Sequence, residues 1–385
     1  MTSRERVLKA VNFEESDRVP IDLGGSTGAS GIHVVAYNNL LEHLGLPTGT
    51  VQSNDVMQQL AVVDETVRQR FHTDVLRIDA VTFASDRFSY LLFDGLDVEF
   101  PRELDLSRLD DGGWVLRDAA GKRYVKPPDG LYFDAEDGRG WYGFGMPMTD
   151  EALDELAQNT RELYESTEFA LTAGFGGAFA SYQPDFLMAL MTEPARIQDE
   201  LSRRCDALIE KYRLINEAIG AYTFCVVFAD DHGTQNGPMM SPDMFAEQIA
   251  PHYKRLADWL HAETDQKLYL HSCGAVEPLI ETYIQSGVDI LNPVQTSAAG
   301  MEPEVLKEKY GGRIVFWGGG CDTQSVLGFS TPEEIAEHVK ERVRIFAPGG
   351  GFVFNQVHVI QASVPPDQIC AMFDAAFEYG SYPTE

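Results

Sequence analysis

The sequence predicts a (β/α)8 TIM barrel with an antiparallel β-hairpin insertion between strands 2 and 3. Three observations carry this. Short β-rich runs alternate with longer amphipathic segments, which implies a parallel sheet with helical crossovers. The runs number eight, the count of a closed barrel. No G-x-G-x-x-G follows the first run, which counts against an open dinucleotide-binding sheet.

In chain order the strand candidates are "RVPIDLG" near Arg18, "DVLRID" near Asp74, "FALTAGF" near Phe169 and "YTFCVVFAD" near Tyr222. "KLYLHSC", "VDILNP", "RIVFWGG" and "GFVFNQV" complete the set. Between the later runs lie helices. One is expected over 241–263, opening on a serine cap and a proline at the first helical position. Another opens at "STPEE", with Ser330 or Thr331 as cap and Glu333 and Glu334 set against the helix dipole. From about 86 to 142 the alternation breaks. There "WVLRD" and "KRYVK" flank Ala119-Ala120-Gly121, a glycine turn between two strands. The expected organisation is one barrel domain over 1–385 with a β-rich insertion at about 86–142.

Composition narrows the function classes. Sixty acidic against 30 basic residues give a net charge of −30, which argues against a counterion-displacing nucleic-acid surface. No apolar stretch approaches the roughly 18 residues of a membrane span. The charged N-terminus lacks a signal-peptide core, so the expected location is cytoplasmic. Five cysteines, an odd number without an export signal, read as free thiols or metal ligands.

In a barrel, chemistry sits at the C-terminal ends of the strands. Here those ends are polar. The fourth gives Asp231 and His232, the fifth His271 and Cys273, and the sixth Asn292. The seventh gives Cys321 and Gln324, the eighth Asn355 and His358. His271 and Cys273 share a face if the strand runs through them. With Cys321 they would offer zinc one nitrogen and two sulfurs; alternatively they are a buried cysteine beside a histidine bonded to backbone. Asp231 and His358 are the candidate proton carriers, His358 also a candidate ligand or core histidine. Asn292, Gln324, Asn355 and His232 are the candidates for substrate contact.

The ordered motifs "SRERVLKAVNFEESDRVP", "DDHGTQNGPMMSPDMF", "LYLHSCG", "VDILNPVQ", "FWGGGCDTQ" and "GGFVFNQVH" resemble the uroporphyrinogen decarboxylase superfamily. They are most similar to its corrinoid-dependent methyltransferase branch, which includes the methylcobalamin:coenzyme M methyltransferases. The resemblance implies a barrel and a zinc ion on a His-x-Cys pair and a later cysteine. It also implies a corrinoid-binding partner protein, a small thiol, methoxy or amine substrate and, commonly, a homodimer. His271 and Cys273 match the pair. The later cysteine of the family lies near the end of the last strand, where this chain has "GGFVFNQVH". The third ligand is then either Cys321 or His358. Decarboxylases of the family grip a polycarboxylate with arginines after the first strand, and this chain has none between Arg18 and Arg68. A metal-free decarboxylase and a non-catalytic tetrapyrrole- or corrinoid-binding barrel remain as alternatives.

Overall fold

The computed structural model describes residues 1–383 except 27, 139, 145–147 and 180–183. Its centre is a seven-stranded, wholly parallel, curled sheet. The strands are, in spatial order, Val75–Ile78, Ala170–Gly176, Thr223–Ala229, Lys267–His271, Ile290–Asn292, Val315–Trp317 and Phe352–Val353. Parallel strands need crossovers, and helices supply them on the outer face, among them Asp150–Ser166, Pro194–Ile219, Glu277–Gln285 and Pro332–Phe346. The result is an α/β, TIM-barrel-like architecture.

The first strand expected from sequence is reduced to single contacts. Ile21 forms an isolated parallel bridge with Phe354, and the Asp74 N–H donates to the Ile21 carbonyl at 2.8 Å. The segment around Pro20–Leu23 therefore lies between the outer strands of the sheet. Pro20 has no N–H to donate, and Gly24 turns away at φ +76°, so no regular ladder forms. The helix expected over 241–263 is two helices, Pro242–Gln248 and Ala250–Glu263. Pro251 explains the break, because its ring removes a donor and clashes with the preceding turn. Both expected caps form: Ser241 accepts the Met244 N–H, and Thr331 makes a reciprocal capping box with Glu334.

Residues 88–135 contain antiparallel strands. Trp114–Arg117 pairs with Arg123–Lys126, Arg117 opposite Arg123 and Gly121 at φ +80° in the turn. With Asp105–Arg108 and Asp134–Ala135 they make a four-stranded sheet. Phe88–Phe93 and Leu96–Phe100 form a second sheet with Thr50–Asp55 and Leu60–Ala61, two strands that precede Val75 and that the sequence did not mark.

Side chains alternate along each strand, and every second one enters a buried cluster containing Val75, Ala170, Val227, Tyr269, Ile290 and Val315. Val7, Ala10 and Val11 of the helix Ser3–Val11 join that cluster. The helix docks at the N-terminal ends of the strands: Arg4 N–H donates to the Glu168 carbonyl and Gly351 N–H to the Ala10 carbonyl. Asp74, wholly buried, fixes it there by accepting from Arg6 and Ser3 at 2.7 Å each and from Arg18 at 2.8 Å. The lower end of the barrel is thus covered, and the C-terminal ends of the strands form the mouth. Among the described residues no helix is long and apolar enough to cross a membrane.

Candidate metal centre

The alternation that points Tyr269 inward also points His271 inward, at the mouth, where it pairs in register with Ala229 and Asn292. His271 is buried, and its Nδ1 lies 2.6 Å from Asn292 Oδ1. The Asn292 amide has one orientation, because its Nδ2 donates to the Trp317 carbonyl at 2.9 Å. Its oxygen therefore faces the imidazole, and Nδ1 carries the ring proton. Nε2 is left with a lone pair. It lies 3.3 Å from Cys273 Sγ and 3.8 Å from Asp231 Oδ1. Asp231 also accepts the Cys273 backbone N–H at 2.8 Å, which ties the loop after the strand to the cluster.

The third member is His358. One donor atom from each of His271, Cys273 and His358 lies within 4.8 Å of the others. His358 sits past the end of the last strand with φ +63°, a left-handed conformation that is uncommon without glycine but several-fold enriched in histidine. Gln356 secures it by donating Nε2 to the His358 carbonyl at 2.8 Å. Cys321 does not join the group. It is fully buried, its Sγ 3.9 Å from the Asp322 carbonyl, and burial pushes its thiol pKa up. It serves through its backbone: the Val357 N–H donates to the Cys321 carbonyl at 2.8 Å, and Cys321 bridges Gln356. Cys321 thereby supports the loop that carries His358.

The electrostatics suit a cation. Burial, and the neighbouring Asp231, push the Cys273 thiol well above its ordinary range. Burial and the adjacent His271 push His358 down to about 4, so its imidazole is neutral at pH 7 and free to donate a lone pair. Two imidazoles and a sulfur at this spacing fit the nitrogen and sulfur set of a zinc site. The thiol, unfavourable as a bare thiolate beside Asp231, is the group a cation would stabilise.

The remaining candidates divide. Asn292 contacts His271, as described. Asn355 points inward, with Nδ2 donating to the Gln356 carbonyl and a buried Oδ1 that has no hydrogen bond. Gln324 lies in the loop after Trp317 and accepts from Ser297 at 3.0 Å. His232 is not at the mouth: it has no exposure, bonds Tyr283 at 2.9 Å and is enclosed by Phe245, Tyr253 and Tyr283. Gln295, a polar residue that the sequence places at the sixth strand end without a role, ties the loops together: its Oε1 accepts the Gly274 N–H at 2.8 Å while its Nε2 donates to Gln235. Its place in "VDILNPVQ", three residues past Asn292, was the available signal.

A parallel barrel-like sheet with a His–Cys–His cluster at its mouth defines an α/β enzyme of the kind that works at strand ends. The chain belongs to the uroporphyrinogen decarboxylase family, whose sequence model matches residues 175–379, more than half of its length. A uroporphyrinogen decarboxylase from Magnetococcus marinus is 29% identical over 113 residues, a match that covers 29% of this chain and 29% of that protein. The chain thus aligns with less than a third of that curated relative's length. The fold is similar to a solved methyltransferase from Methanosarcina mazei, with a TM-score of 0.57 at 16% identity, covering 98% of this chain and 99% of that one.

Proposed function

We propose that this protein is a zinc-dependent methyltransferase that moves a methyl group between a corrinoid, carried by a partner protein, and a small thiol, methoxy or amine compound. The observation that carries the reading is the approach of His271, Cys273 and His358 within 4.8 Å at the barrel mouth. Membership of the family and the end-to-end likeness to a methyltransferase fold support it. In this reading the sheet and the Pro20–Leu23 segment form a closed (β/α)8 barrel, with 86–142 inserted between its second and third strands.

A zinc ion held by one thiolate and two neutral imidazoles keeps a net positive charge and would supply Lewis acidity toward the heteroatom that gains or loses the methyl group. The chain's own residues do the rest. His271 presents Nε2 because Asn292 holds the proton on Nδ1. Asp231, one-third exposed and anchored on the Cys273 N–H, is placed to take the thiol proton from Sγ and pass it to solvent. Ala229, inward and exposed beside His271, leaves the space in front of the cluster open to a small molecule. The partner would dock over this mouth. A homodimer and a cytoplasmic location complete the proposal.

The test is metal content by elemental analysis after anaerobic purification. About one zinc per chain is expected, lost in Cys273→Ser and His358→Gln and retained in Cys321→Ser. Loss in Cys321→Ser with retention in His358→Gln would transfer the third position to Cys321. No metal after zinc is supplied under reducing conditions would overturn the proposal. It would favour the metal-free decarboxylase suggested by the family's name and the Magnetococcus relative, or, without turnover, a binding protein.

A further inference from the structure

Arg77 is the one arginine of the Val75–Ile78 strand, and its side chain is the anomaly of the barrel mouth. Val75 points into the interior cluster, so Arg77, two residues on, points the same way. The side chain lies over Gly174 of the neighbouring strand: a Cβ there would stand 2.5 Å from Arg77 Nε. Glycine at that position is what admits the guanidinium. The group is one-third exposed, and none of its five N–H groups makes a hydrogen bond with the described residues. Its nearest carboxylate, Asp79, is 3.4 Å from Nε without hydrogen-bond alignment, and Nε itself is buried. A guanidinium left this way forfeits the charge-assisted bonds that it ordinarily makes.

Arg77 also lines a cleft of about 340 Å³, together with Gly24, Gly28, Asp55 and Thr82, a volume that suits a small ligand. Two strands lie between Arg77 and His271, three spacings of about 4.8 Å each, and His271 stands further toward the strand ends, because Arg77 is in register with Thr172, Cys225 and Lys267. Among the inward positions between them on the two intervening strands are Gly174, which pairs with Val227, and Ala229, which pairs with His271 and is exposed although it faces the lumen. Nothing larger than a methyl group projects from these two positions into the space between the cation and the cluster.

We propose that Arg77 is the specificity residue of this mouth, and that it binds the carboxylate of a small acidic substrate whose other end reaches His271, Cys273 and His358. Only the second half rests on the function proposed above. A planar fork with free donors matches a carboxylate in bidentate fashion, which a neutral substrate would not use. In a protein of charge −30, an inward guanidinium at the mouth also favours the approach of an anion.

The experiment uses the full-length chain in chelated and zinc-loaded forms, with propionate and its uncharged isostere propionamide as probes. Binding is followed on the arginine Nε–H resonances, Arg77 being assigned by its loss in Arg77→Gln. Propionate is expected to shift that resonance saturably, with at least tenfold tighter binding than propionamide, in the chelated protein as well. Arg77→Gln should abolish the preference, and Arg77→Lys should keep part of it, both with an unchanged thermal midpoint. Equal binding of acid and amide, or an undiminished preference in Arg77→Gln, would overturn the anion site whether or not zinc binds. In the zinc-loaded protein 3-mercaptopropionate should bind at least tenfold tighter than propionate; equal affinities would overturn the bridging geometry while leaving the anion site standing.

Discussion

Asn292 decides which nitrogen of His271 faces Cys273, and it does so because its own amide is pinned by the Trp317 carbonyl. Partners of this kind on metal-bound histidines typically change metal affinity about 10- to 100-fold when removed. Asn292→Leu is therefore expected to weaken zinc binding by that factor in chelator competition, whereas Asn292→Asp keeps the acceptor and the affinity. His33 supplies a pH prediction of known sign. It caps the helix Val34–His43 through Nδ1, which accepts the Val35 N–H, and burial lowers its pKa to about 4. Between pH 6.5 and about 4 the unfolded chain takes up a proton that the native state refuses. The stability of neutral His33 is thus complete above pH 6.5 and lost as pH falls toward 4, up to about 3 kcal/mol. His33→Asn retains a cap without the titration, so thermal melts at pH 7 and 5 should fall further apart for wild type than for the variant. The residues legible in the sequence were those whose chemistry is rare on an apolar strand: His271 and Cys273. His358 was legible only as one of several possibilities, because its place depends on a left-handed turn and on the Cys321 backbone, and neither is encoded by a local pattern.

Among the elements, the seven ladder strands were readable because each is a compact apolar run bounded by glycine or polar residues. Pro20 and Pro251 marked the departures: a proline's missing donor reduced one strand to bridges and split one helix. The strands at Thr50–Asp55 and Leu60–Ala61 were not readable, since "TVQSND" carries little β-branched or aromatic signal. Two joints between elements are open to measurement. Asp74 holds Arg6 and Arg18 with no exposure of its own. Asp74→Ala would leave both guanidinium groups near an emptied site, and urea unfolding should show a loss of about 3–5 kcal/mol. Gly274, at φ +91°, packs against Gly233 so closely that a Cβ would fall 2.5 Å from the Gly233 carbonyl carbon. Gly274→Ala should push the Cys273 loop outward and lower zinc occupancy while far-ultraviolet circular dichroism stays unchanged, because the strand ends before the displaced residue.

Over the whole molecule, the charge of −30 acts as a diffuse self-repulsion that counterions relieve. The thermal midpoint should rise as sodium chloride increases from 10 to 150 mM, where the screening length contracts to about 8 Å. A fall over that range would mean that paired charges outweigh the repulsion. Net charge was fully legible in the sequence, but its distribution was not: the guanidinium at Arg77 is a single letter in "DVLRID" until the sheet curls it toward Gly174. The helix Ser3–Val11 has a last consequence. With its apolar face plugged into the lower end of the barrel-like sheet, the chamber of the proposed closed barrel would keep its doorway at the C-terminal strand ends. A large protein seated on that doorway would trap whatever small molecule is inside, so the small molecule has to enter first. Initial rates measured against both should then give intersecting double-reciprocal lines, the signature of an ordered complex of all three.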